Sequence, residues 1–217
     1  MKTLKVRKEV FESEIPGMNE ISARLDSHGE GELIDTINWK EYKYRPEVRF
    51  NIAYTTREIL LKYYIKEKYF KAEKTVTNQM VCEDSCVEFF VSPENDGIYY
   101  NLEFNAIGTC LLGTGTSRKD SSLAPAEVVS KIRKITTAGN KPVTEIKGEY
   151  KWTITLAIPM EVFFKHEIID LKGRTFRANF YKCGDKLTEP HYLTWDVVGT
   201  PAPDYHQPGY FGQLKFI

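Results

Sequence analysis

DSCVEFFVSPENDGIYYNLEFNAIG, residues Asp84 to Gly108, is the stretch on which the fold turns. Val87, Phe89 and Val91 alternate with Cys86, Glu88 and Phe90. Tyr100, Leu102, Phe104 and Ala106 alternate with Tyr99, Asn101, Glu103 and Asn105. A period of two sends successive side chains to opposite faces of an extended chain. Between the two runs, Ser92 to Gly97 holds Pro93, Asn95, Asp96 and Gly97, residue types that favour turns. The stretch reads as two core strands that share one apolar and one polar face.

The same period recurs on both sides. Val48, Phe50, Ile52 and Tyr54 alternate with Arg49, Asn51 and Ala53. Leu61, Tyr63 and Ile65 form a second run, Trp152 to Ile158 a third, and Phe176 to Tyr181 a fourth. Helical signals are few: Met18 to Asp26 after Pro16-Gly17, and a single turn from Pro159 to Phe164. Many short strands and little helix predict an all-β, two-sheet antiparallel β-sandwich, with residues 1–217 as one domain. The irregular stretch Leu187 to Pro208 contains Pro190, Pro201, Pro203 and Pro208. A loop of that length is either functional or a packed cover over a sheet edge.

The 217 residues carry 30 Lys+Arg and 30 Asp+Glu, so no charge excess points to nucleic acid or another charged polymer. No apolar run is long enough to span a membrane. Met1 to Phe11 lacks the apolar core of an export signal. The chain as it stands reads as cytoplasmic, or as secreted or periplasmic if a signal was removed. The oligomeric state is left open. Four cysteines stand at 82, 86, 110 and 183. Cys82 and Cys86, if extended, would be roughly 13 Å apart, too far for a disulfide. No paired Cys spacing suggests zinc, so they read as buried free thiols and no metal ligand is assigned.

Three strands place an unusual set of groups on their polar face: Arg49 and Asn51, then Asn101, Glu103 and Asn105, then Arg177, Asn179 and Tyr181, with Glu88 in the same kind of row. Asn offers one acceptor and two donors, and Arg a rigid fork. Sugar hydroxyls both donate and accept, so planar groups fixed on a sheet beside an aromatic platform suit a sugar. The plainer alternative is a solvated sheet face. Glu88 with Glu103 would suit glycoside hydrolysis only at a defined carboxyl separation with one raised pKa. No Ser nucleophile elbow or phosphate loop is present, and no catalytic residue is assigned.

These residues resemble a known family. Asp84 to Val91 followed by Tyr99 to Gly108 is similar to the heart of family 9 carbohydrate-binding modules. Lys151 to Pro159, Phe176 to Tyr181, His206 to Phe216 and Asp35 to Trp39 resemble further segments of it. The resemblance implies a β-sandwich that binds a mono- or oligosaccharide without catalysis, with a glycoside hydrolase or a hydrolase-associated role in polysaccharide catabolism as the alternative. It also allows a structural Ca²⁺; otherwise no cofactor is expected. It assigns sugar contact to Glu88, stacking to Trp195, and polar contacts to Asn101, Glu103 and Asn105, to which Arg177 and Asn179 are added from their own polar row. The family's first stacking Trp falls at Cys82, so another ring, such as Tyr205, Tyr99 or Tyr210, must supply that wall. Trp39 and Trp152 read as core.

Overall fold

The computed structural model of the protein describes residues 1–94 and 96–217. Asn95, in the predicted turn Ser92 to Gly97, lies outside the described residues. The strands are β1 (Thr3–Lys8), β2 (Glu32–Leu33), β3 (Thr36–Ile37), β4 (Glu47–Tyr54), β5 (Glu58–Ala72), β6 (Cys86–Ser92) and β7 (Tyr99–Asn105). They continue as β8 (Cys110–Gly115), β9 (Ser122–Leu123), β10 (Arg133–Thr136), β11 (Val143–Pro159), β12 (Thr175–Cys183), β13 (Tyr192–Thr194) and β14 (Gly212–Phe216). Among the described residues two α-helices join them, α1 (Met18–Asp26) and the single turn α2 (Ala126–Val129). No helix among the described residues is long and apolar enough to cross a membrane.

The strands form the two predicted layers. One sheet runs β10-β11-β5-β4, the other β14-β12-β6-β7-β8-β9. β1 is the seam: Thr3 to Val6 pair with β14 of the second sheet, and Arg7 and Lys8 pair with β4 of the first. Both of its pairings are parallel, whereas the remaining ladders are antiparallel. This departs from a wholly antiparallel sandwich. The apolar alternation fills the space between the layers with Phe50, Tyr63 and Ile154 from one sheet and Phe89, Leu102 and Phe180 from the other. Trp152 belongs to this core, while Trp39 packs in a second cluster.

The outer faces differ. On the first sheet, α1 lays Ile21 and Leu25 over Ala53, Leu60 and Ala157. Asn51 donates to the Leu25 carbonyl at 2.8 Å and so closes the end of that helix. The Arg49 and Asn51 row therefore sits on the opposite side of the molecule from the Asn101 row. On the second sheet, the outward residues of β6, β7 and β12 are buried almost throughout. The segment after β12 crosses this face, and Val198, Tyr205 and Phe211 pack with Trp39, Val81, Phe90 and Tyr181 beneath it. The predicted long loop is thus a packed cover, with β13 inside it pairing both β12 and β3.

Candidate functional site

The cover over the second sheet leaves a pocket of about 180 Å³. Its floor follows from register. Glu88 of β6 faces Glu103 of β7 directly, with Tyr181 of β12 on the other side of Glu88. Alternation that puts Phe89 and Leu102 into the core turns these two carboxyls outward, under the cover. Connections supply the walls: Met80 and Cys82 before β6, Arg118 between β8 and β9, Asp185 and Tyr192 after β12, and Pro203 to His206 from the long segment.

Glu88 is 2% and Glu103 6% exposed. Burial, then the neighbouring Glu103 charge, pushes the Glu88 carboxyl well above its ordinary value. The Cys183 thiol donates to Glu88 Oε1 at 3.0 Å. Burial raises Glu103 to about 7, against a hydrogen bond from Asn101 Nδ2 of 2.9 Å. Burial likewise lifts Asp185 to about 6. Arg118, the one cationic group in the lining, is engaged by Asp204 Oδ1 through Nε and Nη2 at 3.1 and 2.8 Å. Although burial acts to raise Asp204, hydrogen bonds from Gln207 and Arg118 hold it low. Burial, with Arg118 nearby, lowers His206 to about 4, so its ring is neutral and shares a 2.7 Å hydrogen bond with the Tyr99 hydroxyl.

The raised Glu103 has a direct consequence. A carboxyl raised in the folded state contributes stability that is complete below its unfolded pKa, near 4.5 for Glu, and is lost as pH climbs through about 7. Glu103→Gln removes that loss. The variant is expected to exceed wild type by about 1–3 kcal/mol at pH 8 and to lose this advantage by pH 4. Urea unfolding at the two pH values measures it, and a difference that does not change with pH would contradict the raised carboxyl.

Of the site residues expected from sequence, Cys82, Glu88, Glu103 and Tyr205 line the pocket. Asn101 stands behind Glu103 as its hydrogen-bond partner. The others are placed elsewhere, each by local bonding. Trp195 is 1% exposed and points between the sheets, against Phe50 and Phe180, with Nε1 donating to Glu32 at 3.0 Å. It cannot stack on a ligand. Asn179 is spent on the backbone of Asp196, and Arg177 on the carbonyls of Phe211, Gly209 and Pro208. Asn105 ties Asp84 to the Lys74 carbonyl. Among the candidate rings, Tyr205 reaches the pocket while stacked on Tyr181 at 3.9 Å. Tyr99 is buried behind His206, and Tyr210 bonds the Gly199 carbonyl. Arg118, Asp185 and Asp204 escaped the sequence reading because no periodicity marks a loop residue, and Tyr192 because β13 is only three residues long.

Asp84 and Glu88, at the entry to β6, are the oxygen donors that a structural Ca²⁺, which the family resemblance allows, would call on. Ca²⁺ takes six to eight oxygens. Asp84 Oδ2 instead accepts from two N–H groups, Lys74 N and Asn105 Nδ2, both at 2.9 Å, while Glu88 faces a thiol. Asp84 Oδ1 is buried with no hydrogen-bond partner among the described residues.

Comparison with known proteins agrees with this architecture. The family model described as carbohydrate-binding family 9 matches residues 23–216. A crystal structure from Bacteroides uniformis, of a protein provisionally described as carbohydrate-binding, is 41% identical. The match covers 100% of this chain and 99% of that one, with a TM-score of 0.95. A family 9 carbohydrate-binding module from Caldicellulosiruptor kristjanssonii in complex with glucose shares the fold at 10% identity and a TM-score of 0.60, over 100% of this chain and 96% of that one. A structure of a family 9 module from the same organism with cellotriose gives 9% identity and a TM-score of 0.59, over 99% and 93%. No curated protein matches the chain.

Proposed function

The chain belongs to carbohydrate-binding family 9, and we propose that it holds one sugar unit of a mono- or oligosaccharide in the pocket over Glu88 and Glu103 without reacting with it. The observation that carries the reading is the opposition of these two buried carboxyls at the floor of a pocket walled by rings. A sugar hydroxyl offers a donor and an acceptor. Glu103, part-ionised near neutral pH, accepts. Glu88, kept protonated by burial, donates or accepts as a neutral carboxyl. Arg118 adds N–H groups at the rim. Tyr192, held edge-on by Tyr42 at 4.7 Å, and Tyr205 form an apolar flank for the CH face of a ring.

The wall differs from the two-indole clamp that the family resemblance implies. A thiol occupies the position of one indole, and the other candidate, Trp195, is core. Tyr is a smaller platform, so affinity for a single unit is expected to be modest, with Kd on the order of 0.1–1 mM. Titration calorimetry against a panel that includes glucose and cello-oligosaccharides measures it. Arg118 is largely exposed, so Arg118→Ala is expected to weaken binding about tenfold, a loss of one charge-assisted hydrogen bond, and to leave the unfolding temperature in place. If folded wild type gives no heat with any sugar, the reading is rejected. Release of reducing sugar above that of Glu88→Gln would instead favour a hydrolase.

A further inference from the structure

The sequence spacing of the cysteines shows no metal motif, but the topology assembles one. Cys86 and Cys183 are register partners on β6 and β12, and Glu88 follows two residues along the same outer face. A sulfur from each cysteine and a Glu88 oxygen lie within 4.8 Å of one another, and all three residues are buried. Zinc bonds thiolate at about 2.3 Å and carboxylate at about 2.0 Å, so tetrahedral ligands stand roughly 3.5–3.8 Å apart. Cys183 Sγ and Glu88 Oε1 stand 3.0 Å apart and the full set lies within 4.8 Å, so side-chain adjustments of about 1 Å bring the three donors onto such a face. The other bonds these sulfurs make are weak: Cys86 Sγ to the Val87 carbonyl at 3.7 Å, and Cys183 Sγ to the Cys82 carbonyl at 3.8 Å.

The surroundings favour a cation. Glu103, Asp185 and Asp204 line the pocket above, and Arg118, the one cation in that lining, is tied to Asp204. Asp185 Oδ1 is buried with no hydrogen-bond partner among the described residues. Glu103 is buried and Asp185 half-buried, and carboxyls shielded in this way are ordinarily paired or bound to metal. An ion can reach the cluster through the pocket, which opens on Glu88 and Cys82.

We propose that Cys86, Cys183 and Glu88 bind a thiophilic divalent cation, zinc, at the base of the pocket, with the fourth position facing Asp185. Binding displaces the two thiol protons and the Glu88 proton to solvent, and no oxidation is involved. The site shares Glu88 with the sugar reading but does not rest on it: zinc takes Glu88 as a carboxylate, the metal-free pocket offers it to a sugar as a neutral carboxyl, and metal uptake is read with no sugar present.

The full-length protein, reduced and stripped with EDTA, is titrated first with Co²⁺ and then with Zn²⁺. The expected result is one Co²⁺ per chain, with a near-ultraviolet thiolate-to-cobalt charge-transfer band that Zn²⁺ bleaches. The band is lost in Cys86→Ser and kept in Cys110→Ser, whose cysteine lies in the inter-sheet core. Binding enthalpy should vary with the buffer's ionisation heat, as proton release requires. The absence of the band in folded wild type overturns the proposal without any variant. So does a band that survives Cys86→Ser, or a Cys86–Cys183 disulfide that forms in place of metal uptake.

Discussion

Lys182→Met is expected to lower the unfolding free energy by about 3–5 kcal/mol, the cost of leaving a buried partner charge uncompensated. Lys182 lies on the inward face of β12, fully buried, 3.0 Å from Glu67 Oε2 of β5. That contact is ionic rather than a directed hydrogen bond, because Oε2 has no aligned donor. Lys182 Nζ donates instead to the Cys183 carbonyl at 2.8 Å and to His191 Nε2 at 2.9 Å. This fixes the His191 tautomer: Nδ1 carries the proton and donates to the Glu189 carbonyl at 3.0 Å. Burial and the Lys182 charge keep that ring neutral. Glu67 Oε1 accepts from Trp152 Nε1 at 2.6 Å. The network joins the two sheets through their core, so removing the cation strands Glu67. Urea unfolding measures the loss. The double variant Lys182→Met with Glu67→Gln should recover part of it, since the charge then leaves together with its partner. A loss below about 1 kcal/mol for the single variant would mean that the pair contributes no more than a surface ion pair.

Trp195→Ala is the second large expected effect, a loss of about 3–5 kcal/mol. The ring meets Phe180 edge-on at 5.6 Å and Phe50 at 6.3 Å. A side chain at Gly212 of β14 would collide with it. It therefore wedges β13, β14 and β4 together, and its truncation opens a cavity that its neighbours cannot close. Sugar affinity of the fraction that stays folded should match wild type. Thermal unfolding paired with calorimetry at low temperature separates the two readouts. A Trp195→Ala protein of normal stability that no longer binds sugar would restore the stacking role.

That reassignment marks where sequence reading stops. Period-two alternation identified β4, β5, β6, β7, β11 and β12, because a strand between core and cover must alternate. The helical signal after Pro16-Gly17 likewise placed α1 over Met18–Asp26. Alternation could not say which sheet a strand joins, so Arg49 and Asn51 looked like companions of Asn101 although they lie on the outer face of the other layer, where Asn51 bonds the end of α1. Trp195 looked like a loop residue because β13 has only three residues, too few to show a period. Glu88 and Glu103 were legible because their strands were. The charged wall of Arg118, Asp185 and Asp204 was not, because residues in connections converge through tertiary packing alone. Cys86 and Cys183 likewise meet only through the β6–β12 register.

The seam strand bears on how the chain reaches this structure. β1 completes both sheets, yet its partner in the second is β14, and Thr3 pairs with Gln213 across nearly the whole chain. The first layer can take up β1 as soon as β4 is made, but β1 cannot join the second layer until β14 has been made. The loop-closure entropy of that meeting falls on a late step. Folding is therefore expected to be slow, with the β14 edge of the second sheet exposed to aggregation until β1 and β14 come together.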